Sequence, residues 1–425
     1  MAMVHGHGSP TQTLSKEDVR SVVQTTASDP NLVRTGERVL LVIPDATRTC
    51  PMGMMLRLLE EAWGPLVERM DVLIALGTHQ PMTDDAIAAH CGFAWEDRER
   101  LFPKTTFYNH EWDNPQALKT IGRISSAKMS ELTGGRFEQT IDVAINRRIF
   151  DYDRVTIVGP TFPHEVVGFS GGNKYFFPGI AGQDIIDAFH WVGALITNRE
   201  IIGTRRTPVR DIVDHCASMI PIAKSCVSLV VGPSGLHGVF AGTPEAAYDQ
   251  AARLSAQVNV RWVEKPYRLV ISICPKMYPE LWTAGKCMYK LEPAIAKGGR
   301  LIIYAPHIAE VSRTHGAKIE AIGYHVLPYF ASRMDRFARI PGGVLAHSTH
   351  VKGSGEYRDG VETPDVEVVL ATGLSPEACT RINLGYQDWR SLNLDDYRGR
   401  EEEGVLVVEK AGEVLYRVGE PPSLN

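Results

Sequence analysis

Short apolar runs alternate with amphipathic segments along this chain, and the alternation predicts its secondary structure. Apolar runs bounded by glycine or proline are typical of buried strands. They predict strands over residues 38–43, 70–76, 155–158, 227–232, 268–274, 300–306 and 366–370. Amphipathic segments predict helices over residues 15–26, 51–63, 184–195, 291–297 and 317–322, and helices capped by Thr83, Thr243 and Ser375.

Strands and helices in this order are typical of βαβ units, so we expect an α/β protein with mostly parallel sheets flanked by helices. At 425 residues the chain has room for two or three domains. A strand over residues 260–264 is followed by Lys265-Pro266, and a new strand–helix series begins at Arg268. We therefore predict two domains, residues 1–267 and 268–425. The last apolar runs, over residues 405–418, are expected to form a hairpin.

Composition excludes several classes of function. The chain has 44% hydrophobic and 22% charged residues, which is ordinary for a soluble globular enzyme. A net charge of −5 and the lack of a basic cluster with interleaved aromatic residues argue against a nucleic-acid partner. No apolar run approaches the length that spans a membrane, so no membrane partner is expected.

Cysteine usage and the N-terminal segment indicate a cytoplasmic location. The seven cysteines include no C-x-x-C pair, which is typical of a reducing compartment without a disulfide framework. The first residues, MAMVHGHGSPTQT, have no apolar core, so we expect neither a signal peptide nor a membrane anchor. We expect His5 and His7 to lie in a disordered tail rather than in a metal site.

Polar side chains follow three of the predicted strands at the point where each strand ends. Asp45, Thr47 and Arg48 follow the first strand, His79 follows the second, and His164 follows the third. The carboxyl ends of parallel strands face one crevice, so these groups can converge on a ligand there. Singly, each also has a structural interpretation as a helix cap, a surface ion pair or a hydrogen-bonded loop histidine. Their recurrence at successive strand ends favours function.

The third of these strands leads into a glycine-rich loop with the sequence GFSGGNK over residues 168–174. Glycine lets the backbone approach an anion closely, although such loops are more often plain turns. Lys174 in this loop is either a counter-charge for a phosphate or a reactive amine. His190 lies in a mostly apolar helical segment and is either a core histidine or a ligand. A zinc site is poorly supported because H-x-x-x-H spacing and cysteine pairs are both missing.

These motifs resemble those of the lactate racemase family. The resemblance rests on Asp45-Ala-Thr-Arg48, Gly77-Thr-His79, the run from His164 to Lys174, and His190. It covers residues 38–200 and extends more thinly to residue 310. It implies two α/β domains with the active site in the cleft between them. It also implies a nickel-pincer nucleotide cofactor, which is pyridinium-3-thioamide-5-thiocarboxylic acid mononucleotide carrying nickel.

The resemblance implies a role for each matching residue. Lys174 would hold the cofactor covalently through a thioamide, and His190 would ligate the nickel. His79 and His164 would be the acid–base pair on either face of the substrate, and Arg48 would hold and polarise the substrate. The remaining implied cofactor contacts are Asp45, Thr47, Gly168, Ser170, Gly171 and Gly172.

The chain departs from the family pattern after the strand that opens the second domain. Lactate racemases have a tyrosine-glutamine pair and a lysine there that contact the substrate, whereas this chain has Gly285-Lys286 and Tyr289. Trp282, Lys286 and Tyr289 are therefore expected to bind the substrate, with Lys286 or Lys290 facing a carboxylate. An added lysine and aromatic rings favour a sugar acid, a diacid or an aryl hydroxy acid over lactate.

Together these features predict a racemase or epimerase that inverts C2 of a 2-hydroxy acid by hydride transfer to and from the cofactor. Inversion through a planar 2-keto acid needs a base on each face, a cation for the carboxylate and an organic hydride acceptor. The implied partners are the small 2-hydroxy acid and the enzymes that make the cofactor, so protein produced without those enzymes can lack it.

Two alternatives remain open from the residues. A nicotinamide-dependent 2-hydroxy-acid dehydrogenase would use the same hydride chemistry, but no G-x-G-x-x-G follows a predicted strand. A cofactor-binding homologue without turnover would have no need of both His79 and His164.

Overall fold

The computed structural model describes residues 3–420 of the chain. Within that range the strands are β1 His5–Gly8, β2 Arg38–Pro44, β3 Arg69–Ala75, β4 Phe107–Asn109, β5 Leu118–Ile124, β6 Ile141–Asn146, β7 Arg154–Pro160, β8 Pro163–His164, β9 Gly168–Phe169, β10 Ala223–Gly232, β11 Gly235–Gly242, β12 Val260–Val263, β13 Tyr267–Ile273, β14 Ile295–Ala305, β15 Gly355–Arg358, β16 Val361–Pro364, β17 Val366–Thr372, β18 Gly385–Tyr386, β19 Val405–Val408 and β20 Leu415–Val418.

The helices are α1 Lys16–Thr26, α2 Met52–Trp63, α3 Asp84–Cys91, α4 Arg98–Leu101, α5 Ser126–Thr133, α6 Gln183–Ile196, α7 Asn198–Ile201, α8 Pro208–Ser218, α9 Pro244–Val258, α10 Leu281–Ala284, α11 Lys286–Tyr289, α12 Gly316–Ile322, α13 Leu327–Ala331, α14 Met334–Phe337, α15 Gly342–Lys352 and α16 Pro376–Arg381. Among residues 3–420, no helix combines the length and the apolar character that crossing a bilayer requires. All seven cysteines are free thiols, and all but Cys50 are buried.

The chain forms two compact units. The first unit contains residues up to 162, 169–186 and 205–258, and the second contains residues 163–168, 187–204 and those from 259 onward. Three segments that the sequence pattern assigned to the N-terminal domain, residues 163–168, 187–204 and 259–267, thus belong to the second unit.

The first unit is built on a sheet with the strand order β1-β11-β10-β7-β2-β3-β4. From β10 to β4 the neighbouring strands are parallel, whereas β1 and β11 add an antiparallel edge. Strands β2, β3 and β7 confirm the predicted runs, and their continuous burial explains why the runs lack polar alternation. Helices α1 and α2 cover one face of this sheet with apolar side chains such as Val19, Val23 and Met55.

The second unit is built on a fully parallel sheet with the order β18-β17-β14-β13-β19. Strands β13 and β17 confirm the predicted runs at 268–274 and 366–370. A smaller parallel pair, β12 with β20, lies in the same unit. The α/β class with mostly parallel sheets flanked by helices is therefore confirmed.

The predicted caps are correct because each supplies an oxygen to a backbone N–H of the first turn. Ser15 and Asp18 form a capping box at α1. Thr83 accepts from the Ala86 N–H at α3, and Thr243 does so from the Ala246 N–H at α9.

Three predictions from the pattern are wrong. Residues 291–297 form a short 3-10 turn followed by the start of β14, because pairing with β13 and β17 overrides local helix propensity. Residues 405–418 form no hairpin, since β19 pairs in parallel with β13 and β20 with β12. The N-terminal residues are not a tail: β1 pairs with β11, and His5 Nε2 lies 2.8 Å from Asp29 Oδ2.

Candidate active site

In the first unit, the ends of β2 and β3 bring Asp45 and His79 together. These strands are adjacent and parallel, so their carboxyl ends lie side by side. The Asp45 Oδ2 atom lies 2.5 Å from His79 Nδ1. Asp45 is buried at 6% exposure, whereas the His79 side chain remains 26% exposed. The pair therefore has a buried acid and an imidazole that solvent or a ligand can reach.

The Asp45 carboxylate is held ionised. Its burial alone would raise its pKa, but the charge and hydrogen bond of His79, together with Arg48 and the Thr47 hydroxyl, hold the pKa of Asp45 well below its usual range. The Thr47 backbone N–H and hydroxyl donate to Asp45 Oδ1 at 3.2 and 2.7 Å. With Asp45 as an acceptor on both oxygens, His79 Nδ1 is the donor of the short contact, and its Nε2 is left as the basic nitrogen.

Arg48 lies next to this pair at partial burial. Its Nη1 is 3.3 Å from the Thr47 hydroxyl, and its guanidinium carbon lies 5.5 Å from the centre of the Phe162 ring. Of the strand-end residues predicted from the sequence, Asp45, Thr47, Arg48 and His79 therefore lie together in the first unit, whereas His164 belongs to the second.

The glycine loop requires its glycines on steric grounds. Gly171 has φ +94°, and a Cβ there would lie 2.0 Å from the Thr161 hydroxyl oxygen. A Cβ on Gly172, at φ +54°, would lie 2.8 Å from the Cβ of Tyr248. Ser170 is buried and bonds within the loop, donating to the Pro160 carbonyl and accepting from the Phe162 N–H. Close packing, and not only ligand approach, accounts for these small residues.

Three side chains outside the glycine loop bond to it and hold its backbone in place: Arg210, Asp214 and Glu245, which we call the clamp. The sequence pattern did not single out any of them. Arg210 of α8, buried at 3% exposure, donates to the Phe169 and Gly171 carbonyls at 2.5 and 3.1 Å and lies 4.0 Å over the Tyr248 ring. Asn173 Nδ2 donates to Asp214 and Glu245, the latter at 2.7 Å. The available sequence signal is the position of Arg210 next to the apolar residues Val209, Ile212 and Val213 of an amphipathic segment capped by Thr207.

Lys174 lies half-buried in the 3-10 turn Gly172–Tyr175 that this clamp supports. Its backbone N–H donates to the Gly171 carbonyl at 3.3 Å, and its carbonyl accepts from Gly179. Because both the N–H and the carbonyl of Lys174 are hydrogen-bonded within the loop, the loop itself holds the Lys174 backbone in position.

In the second unit, His164 lies on β8 at 5% exposure. Its Nδ1 accepts from the Val166 N–H at 3.2 Å and also lies 3.3 Å from Glu165 Oε2. When Nδ1 carries no proton, it can accept the hydrogen bond from the Val166 N–H. When Nδ1 is protonated, it can donate to the Glu165 carboxylate. His164 is therefore provided with a partner in either protonation state. Gly168, at φ +86°, closes the same turn, and its carbonyl accepts from Gly203.

His190 lies half-buried on α6, and the second unit adds three histidines that the sequence pattern did not single out. The centroid of the Trp282 ring lies 3.9 Å from the centroid of the His347 ring and 4.3 Å from that of the His315 ring. Burial, and then the charges of His350, His315 and His190, lower the pKa of His347 well below its usual range. The H-x-x-H spacing of His347 and His350 on α15 was the available signal.

The other predicted substrate residues are mostly packed within the second unit. Lys286 is 8% exposed, with Nζ 4.4 Å over the Tyr278 ring. Tyr289 packs in an apolar cluster with Ile202, Val260 and Leu415. Lys290 is 1% exposed and donates to the Glu413 carbonyl at 2.9 Å, so it serves the fold.

Comparisons with known proteins agree with the motifs. A family model described as the lactate racemase N-terminal domain matches residues 7–203. The lactate racemase of Thermoanaerobacterium thermosaccharolyticum is 25% identical over 288 residues, covering 66% of this chain and 62% of that protein. The match thus spans less than two thirds of that relative's length.

Two solved structures are similar in fold. A crystal structure of a Thermotoga maritima protein has a TM-score of 0.88 at 30% identity and covers 97% of this chain and all of its own. The lactate racemase apoprotein from Thermoanaerobacterium thermosaccharolyticum has a TM-score of 0.68 at 18% identity, covering 95% of this chain and 93% of that one. At that identity the second match shows a shared fold.

Proposed function

This chain belongs to the lactate racemase family, and from that premise we propose that it is a racemase or epimerase that inverts C2 of a 2-hydroxy acid. The observation that carries the proposal is the Asp45–His79 pair at adjacent strand ends, with Arg48 beside it. Oxidising a 2-hydroxy acid requires a base for the hydroxyl proton and a cation for the carboxylate, and this group contains both.

His79 takes the hydroxyl proton in this proposal. Because Nδ1 donates to Asp45, the lone pair of Nε2 is available to accept the proton. The resulting imidazolium is stabilised by the buried Asp45 carboxylate, which remains ionised. Arg48 would hold the substrate carboxylate through its fork of N–H donors.

His164 would act on the other face of the substrate. Protonation at Nδ1 gives its ring an ion pair with Glu165 in place of the bond from the Val166 N–H. Glu165 thus supports the imidazolium that must return a proton to the substrate oxygen. In the reverse direction the two histidines exchange roles, as microscopic reversibility requires.

The residues fit the nickel-pincer nucleotide that the family resemblance implies. Among residues 3–420, no group of three or more His, Cys, Asp or Glu side chains is placed to hold a metal ion. A cofactor that brings its own sulfur donors needs one imidazole from the protein, and half-buried His190 would provide it. Lys174 would carry the nucleotide covalently. When bound, the cofactor would supply the organic hydride acceptor that no side chain can provide.

We further propose a hydroxylated or doubly charged substrate, such as a sugar acid or a diacid. The Trp282 ring already contacts two imidazoles, which leaves less of it to stack on an aryl group. Those imidazoles bring ring nitrogens that can bond to hydroxyl or carboxylate groups. Lys286 adds a cation in the same unit.

The test is a panel of 2-hydroxy acids incubated with protein produced together with the cofactor-synthesis enzymes and nickel. Chiral chromatography would follow the configuration at C2. We expect inversion of a sugar acid or diacid in wild-type protein and its loss in both His79→Ala and His164→Ala. Lactate as the best substrate, unaffected by Lys286→Gln, would refute the substrate class. Inversion surviving in both histidine variants would refute the two-base mechanism.

A further inference from the structure

A small cavity in the second unit is lined by none of the residues that were assigned a catalytic, substrate or cofactor role above. Its volume is about 150 Å³, and we call it the Thr197 cavity. It is lined by Ala194, Thr197, Asn198, Glu292, Leu327, Pro328, Thr349, His350, Gly353, Ser354 and Gly355. A volume of this size has room for an ion together with several waters.

The side-chain amide of Asn198 has an oxygen to which no group among residues 3–420 donates a hydrogen bond. Its Nδ2 donates to the Tyr289 carbonyl at 2.9 Å and to Glu292 Oε2 at 2.7 Å. These bonds fix the amide, because exchanging its oxygen and nitrogen would set the oxygen against two acceptors. Asn198 is 5% exposed, and its Oδ1 has no hydrogen-bond partner among residues 3–420. A buried acceptor in this state costs stability unless a ligand or water donates to it.

The rest of the lining is also rich in acceptors. Glu292, at 1% exposure, contributes a carboxylate whose Oε1 is bonded to Ser354. His350, at 4% exposure, has an Nε2 that lacks a partner within the described part of the chain. Arg199 pairs with Glu292 Oε1 at 3.3 Å but does not line the cavity, and the lining itself contains no lysine or arginine.

Two helix ends and a strained residue complete the site. Helix α6 ends at Ile196, next to Thr197, and α15 ends at Lys352, next to Gly353, so both helices point their negative ends toward this region. Thr197 itself has φ +89°, a conformation that a β-branched residue adopts only when the surroundings enforce it. Such strain is concentrated at ligand sites.

We propose that the Thr197 cavity binds a small monovalent cation of the size of potassium or ammonium. Carboxylate, amide and hydroxyl oxygens are the donors that such ions prefer, and helix carboxyl ends add favourable potential. The apolar remainder of the lining, Ala194, Leu327 and Pro328, lowers the local dielectric and strengthens each contact. Bound ion would also satisfy the free acceptor of Asn198.

The test uses the full chain with its cofactor loaded, exchanged into choline chloride. Thermal unfolding is followed while potassium, ammonium or sodium chloride replaces choline at constant ionic strength. We expect a saturating rise in Tm with potassium and ammonium relative to choline, because an ion that binds only the folded state stabilises that state. Labelled ¹⁵N-ammonium should give a bound signal that potassium displaces.

Two variants address the cavity itself. Ala194→Leu fills it with carbon and should abolish both the ion-dependent rise and the bound ammonium signal, whereas Ala309→Leu, at an exposed position, should change neither. Should Ala194→Leu fail to fold, Thr349→Val removes one lining oxygen and should weaken the apparent affinity by about tenfold. The same Tm in all four salts would show that the cavity binds no ion, and an undiminished potassium effect in the filled variant would show that potassium binds elsewhere; either result would overturn the proposal.

Discussion

At the scale of single residues, the proposed chemistry depends on side chains whose partners determine what they can do. Asp45 illustrates this. The sequence predicts it at a strand end and the resemblance implies a cofactor contact; in the structure its carboxylate lies within hydrogen-bond distance of His79. The spacing of Asp45 and His79 could not reveal this bond, because it depends on the pairing of β2 with β3.

Asp45→Asn should lower the inversion rate by roughly 10²–10⁴-fold while nickel content and folding stay unchanged. The amide cannot stabilise an imidazolium, and it allows the wrong tautomer of His79. The pH–rate profile of the mature enzyme is the specific readout, since the limb assigned to His79 should move. Asp84→Asn, in the exposed first turn of α3, is the matched control and should behave as wild type. An unchanged profile in Asp45→Asn would contradict the positioning role.

His190→Ala should lose nickel and activity without a change in Tm. The side chain is half-buried, so its removal leaves no core cavity. Metal analysis of protein matured with the cofactor enzymes measures the effect. His215→Ala, another half-buried helical histidine, should keep its nickel. Wild-type nickel in His190→Ala would refute the ligand assignment.

His110 should make stability depend on pH. Burial lowers its pKa to about 4 from an ordinary value of 6.5, and the neutral ring is already bonded to the Ala181 carbonyl and to Asn146. A depressed histidine pKa favours folding above pH 6.5, and this contribution is lost as pH falls through 4. The loss should be about 3 kcal/mol in free energy of unfolding. Denaturant titrations of His110→Gln, which cannot titrate, should show a shallower decline over that range; an equal decline would exclude His110 as the cause.

At the scale of elements, the sequence pattern predicts correctly the strands and helix caps that interactions between neighbouring residues determine. Strands β2, β3 and β7 and the caps Ser15 and Thr83 follow from apolar runs and from side chains that bond to their own helix. The predicted helix at 291–297 and the C-terminal hairpin failed because distant strands compete for those residues. Parallel pairing with β13 and β12 is a property of the assembled sheet and leaves little local trace.

The glycine loop likewise depends on an element that its own sequence does not reveal. Arg210→Lys should lower the free energy of unfolding by about 1.5–3 kcal/mol, since one ammonium cannot replace the two-pronged bond to the Phe169 and Gly171 carbonyls. The fraction of Lys174 that carries the cofactor, measured by peptide mass after maturation, should fall as well. Arg206→Lys, exposed on the same segment, is the control for both readouts. Full modification and full stability in Arg210→Lys would show that the clamp is dispensable.

At the scale of the whole molecule, the fold class could be predicted from the order of strands and helices, but the composition of each unit could not. Segments 163–168 and 187–204, which contain His164 and His190, belong to the second unit together with the residues beyond 258. Nothing in their apolar pattern distinguishes the two units. His315 and His347 were missed for the same reason, since only folding of the second unit brings them against Trp282, whereas the H-x-x-H spacing of His347 and His350 is visible in the sequence.

The proposed enzyme inverts C2 by moving a hydride and not by removing a proton. Inversion of the preferred substrate in D₂O by the mature enzyme, with the product analysed by mass at C2, distinguishes the two. Histidines 79 and 164 exchange only the hydroxyl proton in the proposed mechanism, so the inverted product should keep its original hydrogen at C2. Deuterium at C2 in step with inversion would contradict the mechanism, because it would require a base that removes the C2 proton.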